Sequence, residues 1–294
     1  MFFCLLKRKE VRALTDLAGF EKRHEFLVCV DSDGCAMDTM DIKHFRCFGP
    51  CMVDEWGLGE WREEILARWN DINLYTMTRG INRFKGLSMA LSEISRRYVV
   101  IEDLIDLVFW AESSPELSNS ALEAAIREKP DSVALKKALA WSLSVNKAIT
   151  ELPCDEVKPF PLAREALEFA HRGADVAIVS SANLDAVLEE WEKHGLLSHT
   201  DIVLAQNAGS KAMCISQLLS KGYKAENVVM CGDAPGDLSA AGKNGVYFYP
   251  ILVGREGESW QEFIDIGFGK LVSGEYGDGY GDFKKNEFIS NLNK

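Results

Sequence analysis

Hydrophobic positions in this chain follow one rhythm toward its two ends and another in between. EFLVCV (25–30), DVAIVSS (175–181), DIVLA (201–205), ENVVMCGD (226–233) and VYFYP (246–250) are short, nearly continuous apolar runs bounded by polar turns. Runs of that length without alternation predict strands buried on both faces. Between them the apolar period lengthens to that of a helix. LAREALEFAHRG (162–173) and LDAVLEEWEKHG (184–195) each stop at a glycine, and AMCISQLLSKG (212–222) and GDLSAAGKNG (236–245) are further helix predictions. In LDAVLEEWEKHG, Leu184, Val187, Leu188 and Trp191 share one face. Strands alternating with helices imply a parallel sheet with helices on both of its faces.

The stretch from 41 to 158 keeps only the helical rhythm. WREEILARWNDI, SMALSEISRRY, IEDLIDLVFWAE, NSALEAAIREK and DSVALKKALAWSLSVNKAI all predict helices. In the last, Leu135, Leu139 and Leu143 form a stripe, with Ala138 and Val145 beside it. The tryptophans at 56, 61, 69, 110 and 141 belong to the core of these helices. LPCDEVKPFP (152–161) carries three prolines and predicts a return linker. The expected organisation is therefore α/β: a discontinuous Rossmann-like core of residues 1–40 and 159–294, with an all-α domain of residues 41–158 inserted after the first strand. In the tail, SWQEFIDIGFGKL predicts one more helix and GEYGDGYGDF a glycine-rich loop, whose acidic residues fit no calcium-loop spacing.

Composition narrows the function classes. The chain has 294 residues and a net charge of −12, which argues against nucleic acid or an anionic membrane as the main partner. No stretch is long enough to cross a bilayer. MFFCLLKRKE at the N-terminus runs apolar then basic, the reverse of a secretory leader. Eight cysteines without a C-x-x-C pair read as reduced thiols of a cytoplasmic protein. Cys47 and Cys51 lack two further ligands of zinc spacing.

The chemistry sits at strand ends. Parallel strands share one carboxyl edge, and ligands bind there. Asp31 and Asp33 follow the first strand, Ser180 and Ser181 the second, and Asp233 and Asp237 the run ENVVMCG. Lys211 opens a helix, where a cation is disfavoured, so it calls for an anionic partner. Carboxylates, a hydroxyl and an ammonium would meet at one rim.

In these motifs the chain resembles the phosphatases of the haloacid dehalogenase superfamily. That family's apolar strand followed by D-x-D-G corresponds to VCVDSDGC, and its later D-[S/T] to Asp38-Thr39. The strand ending in Ser or Thr corresponds to AIVSSAN, the basic residue to Lys211 in GSKAM, and G-D-x-x-x-D to GDAPGD. Cys35 stands where the family commonly has Thr or Val, and the usual prolines beside the lysine are missing. The resemblance implies a Mg²⁺-dependent hydrolase of small phosphate monoesters. Asp31 would attack phosphorus and carry an aspartyl-phosphate, and Asp33 would move the proton. Ser180 would hold a phosphoryl oxygen with help from Ser181, and Lys211 would balance charge. Mg²⁺ would be held by Asp31, the Asp33 backbone carbonyl, Asp233 and Asp237, a hard oxygen set. Asp38 would serve the hinge to the inserted domain.

Basic residues of the insert are candidates to meet the substrate: Lys43, His44 and Arg46, then Lys85 and above all Arg79 and Arg83, which Gly80 and Gly86 place in an expected loop. The alternatives are a phosphosugar mutase, which shares every motif, and a non-catalytic phospho-aspartate protein, which would not want Asp33. A dehalogenase would not need Asp33 either, because a halide leaves without a proton.

Overall fold

The computed structural model describes residues 14–153 and 156–293; the apolar-then-basic N-terminal stretch lies outside them. The chain divides into two compact units, one of Met1–Thr39 with Val157–Lys294 and one of Met40–Glu156.

The first unit is built on five parallel strands: β1 (Phe26–Val30), β4 (Ala174–Val179), β5 (Ile202–Leu204), β6 (Val228–Gly232) and β7 (Tyr247–Pro250), in the spatial order β5-β4-β1-β6-β7. Two further short strands, β2 (Met37–Asp38) and β3 (Lys158–Pro159), pair antiparallel. The apolar runs do not alternate because both faces are covered. Val28, Val30, Val176, Ile178, Val229 and Cys231 belong to one buried cluster with the helices Ala163–Ala170, Leu184–Lys193 and Glu256–Glu262. Leu27, Cys29, Ala177, Val179, Val228 and Met230 belong to another, with Lys211–Leu219, Pro235–Asn244 and Gly281–Leu292. Successive side chains point to opposite faces, so each strand feeds both cores. The chain runs outward from β1 through β4 to β5, then crosses to β6 and β7 on the other side. The reversal beside β1 is where such a sheet opens a crevice at its carboxyl edge.

The expected linker at 152–161 is not featureless: β3 lies in it, bonded to β2 through the register Met37↔Pro159 and Asp38↔Lys158. The expected loop GEYGDGYGDF is present as a short kink between two helices: Gly274 at φ +78° ends the helix before it, Asp278 and Gly279 (φ +91°) have non-helical backbone, and only its last residues enter the next helix. Its turn Tyr276–Tyr280 leads directly into Gly281–Leu292. Tyr276 is fully buried and its hydroxyl donates to Phe248 O at 2.8 Å, while the Tyr280 hydroxyl donates to Glu262 at 3.0 Å. Gly277 lies against the Tyr247 hydroxyl and Gly281 against the Tyr276 ring, so these glycines admit close packing rather than motion.

The second unit holds only helices and the turns between them among its described residues. Trp69, Phe84, Trp110 and Trp141 form its aromatic centre, with ring centroids 5.1 Å apart for Phe84–Trp110 and 6.0 Å for Trp69–Trp141. Trp56 and Trp61 pack at its margin. The helix Val133–Thr150 buries Ala134, Ala138, Trp141 and Val145, a 4-3-4 spacing, and leaves Leu143 53% exposed. The expected Leu135–Leu139–Leu143 stripe fails at its end because eight residues at about 100° each drift about 80° off the starting face. Arg83 and Gly86 lie in the helix Arg83–Arg97, capped by the Asn82 side chain, and not in a loop. Gly86 is there because a Cβ would collide with the Asn73 amide. Gly80, at φ +68°, does belong to the preceding turn.

Candidate active site

Four strand ends and helix starts converge at the carboxyl edge of the sheet. β1 ends at Val30, and the Asp31 amide still bonds Cys231 O of β6 at 3.0 Å, so the ladder fixes the backbone of Asp31. The chain then reverses. Gly34 adopts φ +80°, and its amide bonds Met37 O at 2.9 Å while Met37 N bonds Ser32 O at 2.8 Å. Two buried indoles pin this turn from below: Trp191 Nε1 donates to Ser32 Oγ at 2.8 Å and Trp260 Nε1 to Cys35 O at 3.1 Å. Asp31 therefore stands on a rigid element although it lies in a turn.

Asp233 follows β6, and Asp237 sits in the first turn of Pro235–Asn244. One oxygen of Asp237 accepts the Ala234 amide at 3.1 Å. Gly232 is required here, because a Cβ would overlap the Asp237 side chain. Lys211 begins the helix Lys211–Leu219, whose N-cap is the Ser210 hydroxyl. Its Nζ lies 2.6 Å from Asp31 Oδ2 and 2.6 Å from Asp237 Oδ1. The anionic partner that its position demands is thus two carboxylates.

Asp31, Asp233 and Asp237 are all buried, with a ligand oxygen from each lying within 4.8 Å of the others. Burial pushes the Asp31 carboxyl up to about 6; Lys211 pulls it down and Asp237 adds to the rise. Asp237 is raised for the same reason, burial, against Lys211. Burial alone would lower the Lys211 ammonium, but Asp237 and Asp31 reverse that and raise it. Three buried carboxylates face one lysine, an excess of negative charge that suits a hard divalent cation. Burial, then Asp233 and Asp31, hold the Cys35 thiol far up the scale and protonated.

Asp33 is half-buried, and its Oδ1 accepts the Thr39 hydroxyl at 2.6 Å. Thr39 itself is buried. The Ser180 amide bonds Leu204 O at 2.9 Å, and its buried Oγ accepts the Ala182 amide at 3.2 Å, leaving the hydroxyl proton to donate outward. Ser181 is exposed beside it, and Asp38 is exposed on β2. The Lys211–Asp237 bond, the Thr39–Asp33 bond and the Trp191–Ser32 anchor had no separate signal in the sequence, since each joins residues whose types are common in turns and cores.

In the helical unit, Arg79 is 3% exposed and its Nη1 donates to Leu74 O at 2.7 Å. Arg83 donates to Ser142 Oγ at 3.2 Å and Asn146 Oδ1 at 2.7 Å and lies over the Phe48 ring. Burial lowers its guanidinium.

The family model for haloacid dehalogenase-like hydrolases matches residues 103–251. The chain belongs to that family. No curated protein matches the chain. Among solved structures it is similar to a haloacid dehalogenase-like hydrolase of Streptococcus pneumoniae, at 13% identity and TM-score 0.44, over 76% of this chain and 83% of that one. A Thermotoga maritima protein assigned as a β-phosphoglucomutase aligns at 15% identity and TM-score 0.43, over 76% and 84%. A Lactobacillus plantarum protein assigned as a phosphoglycolate phosphatase aligns at 11% identity and TM-score 0.44, over 80% and 90%.

Proposed function

We propose that this hydrolase is a Mg²⁺-dependent phosphatase of a small phosphorylated metabolite, working in the cytoplasm through an aspartyl-phosphate on Asp31. The observation that carries the reading is the Lys211 ammonium set between Asp31 and Asp237, beside the third carboxylate Asp233. A carboxylate nucleophile and a phosphate dianion repel each other, and this edge supplies a fixed cation and a ligand set for another. Asp31, Asp233 and Asp237 would hold Mg²⁺ with the Asp33 backbone carbonyl. Bound there, the ion would supply positive charge to the phosphoryl oxygens.

Asp31 attacks phosphorus and takes the phosphoryl group, and the alkoxide leaves with a proton from Asp33. Asp33 then removes a proton from the water that attacks the acyl-phosphate, restoring Asp31 and releasing inorganic phosphate. The Thr39 hydroxyl, donating to Asp33 Oδ1, holds that carboxyl in one rotamer. The Ser180 hydroxyl donates to a phosphoryl oxygen, and Ser181 adds a second donor from a more open position. Lys211 holds Asp31 ionised and offsets charge on the transferring group. Arg79 and Arg83 are the candidates of the helical unit to meet the substrate. Six free thiols among the described residues suit a reducing compartment.

Hydrolysis of p-nitrophenyl phosphate tests the reading. Wild type should turn over only with Mg²⁺, and Asp31→Asn should lose on the order of a thousandfold or more. Full activity in Asp31→Asn removes the nucleophile from this account. Isomerised sugar phosphate in place of free inorganic phosphate would mark a mutase.

A further inference from the structure

The helical unit holds a second concentration of charge, of the opposite sign. A cavity of about 520 Å³ is lined by Arg68, Glu93, Arg96 and Arg97. Arg68 comes from the helix Arg62–Asn70 and the other three from Arg83–Arg97. Arg68 and Glu93 form a bidentate pair, Nε to Oε2 at 2.7 Å and Nη2 to Oε1 at 2.8 Å. That pair alone is enough to tie the two helices together. The remaining two guanidiniums have no such task. Arg96 spends only its Nε, on Ser92 O at 3.0 Å, and Arg97 makes no hydrogen bond or ion pair among the described residues.

All three cations nevertheless act on the one carboxylate. Glu93 is held below the usual carboxylate range by Arg68 first, with Arg97 and Arg96 adding to the effect. Three positive charges around one negative, in a chain of net charge −12, crowd like charges that repel. A solvated helix face spreads its arginines; here they converge on a concavity whose size lies within the range of small-molecule sites.

We infer that this groove binds a small phosphorylated anion carrying at least two negative charges, with Arg96 and Arg97 as the forks that grip it and Arg68 fixed behind them by Glu93. Guanidinium groups pair with phosphate bidentately, and the free edges of Arg96 and Arg97 are available for it. Glu93 sets a lower bound on ligand charge: a monoanion gains little from a site that already holds a carboxylate. Concavity favours a small ligand over a flat macromolecular partner. The site lies wholly within the helical unit and does not depend on the phosphatase reading.

Isothermal titration of the full chain with inorganic pyrophosphate tests this. Excess EDTA keeps the acidic edge of the other unit metal-free and repulsive to anions. Wild type should bind one pyrophosphate per chain, and binding should fade as salt screens the cluster. Arg97→Met should weaken it on the order of tenfold and Arg96→Met/Arg97→Met by about that factor again, each lost charge-assisted contact costing one such step. Both side chains are exposed, so the variants should keep the wild-type melting temperature. No saturable heat with wild type at millimolar pyrophosphate overturns the proposal, and so does equal affinity in the double variant.

Discussion

The two units are centred on different chemistry. The α/β unit gathers Asp31, Asp233, Asp237 and Lys211 at one edge of its sheet, enclosed together, and partners its other buried charges as well, Asp175 with the Tyr223 hydroxyl and Lys284 with Glu262 and Glu287. The helical unit centres on tryptophan, and several of its inward polar side chains donate to neutral groups: Asn73 to Trp69 O, Arg79 to Leu74 O, Arg83 to Ser142 and Asn146. A buried charge cluster is costly to assemble, and perturbed buried carboxylates mark candidate functional sites, whereas an aromatic centre depends on close packing. Electrostatic perturbation should therefore unsettle the first unit and volume perturbation the second.

The largest expected effect breaks the first half of that contrast. Lys211→Met leaves Asp31 and Asp237 buried without their cation, and should cost about 3–5 kcal/mol in metal-free chemical unfolding at neutral pH. The cost should shrink toward pH 5, where the carboxylates can protonate instead. A cost independent of pH would mean that Lys211 acts through packing.

Next in size, and of comparable magnitude, is Trp141→Ala in the helical unit. Removing this fully buried indole should cost about 3–5 kcal/mol at any pH. Leu143→Ser, two residues on and exposed, should stay within about 0.5 kcal/mol. Equal losses at the two positions would contradict the packing described here.

A smaller effect sharpens the comparison through pH. The folded state raises Asp31 to about 6 and raises Asp237 as well, above the roughly 3.9 of an unfolded aspartate. The native state thus holds protons that the unfolded chain releases. The stability these groups contribute is fully present below the unfolded value and is lost as pH rises through the folded one. Mg²⁺ binds the ionised form, so the rise in melting temperature on adding Mg²⁺ should be small at pH 5 and larger at pH 7.5. A constant rise across that range would argue that the metal is held elsewhere.

The sheet and the grouping of the candidate residues were legible because buried parallel strands write unbroken apolar runs, and because the residues just past each run land on one edge. VCVDSDGC, AIVSS and VVMCGD give both the strand and its candidate residue in a single stretch. The sequence hid the contacts between stretches. Nothing in GSKAM says that Lys211 reaches Asp237 as well as Asp31, and nothing in AMDT says that Thr39 turns back to Asp33. The glycines misled in part. Gly86 suggested a loop but sits in a helix, whereas Gly274 and Gly279, both at positive φ, form the turn that the sequence suggested. At Gly86, Gly277 and Gly281 a neighbouring side chain leaves little room for a Cβ. A glycine chosen for close approach and one chosen for backbone freedom look alike until the neighbour is known.

The central claim is that Asp31 takes the phosphoryl group and Asp33 serves the water that removes it. Asp33→Asn should therefore trap the intermediate. Rapid acid quench of the Mg²⁺-loaded variant with p-nitrophenyl phosphate, followed by peptide mass spectrometry, should find one phosphoryl group on Asp31. The adduct should be absent from Asp31→Asn/Asp33→Asn. Phosphorylation of another residue, or a phosphorylated peptide that survives the loss of Asp31, would contradict the account.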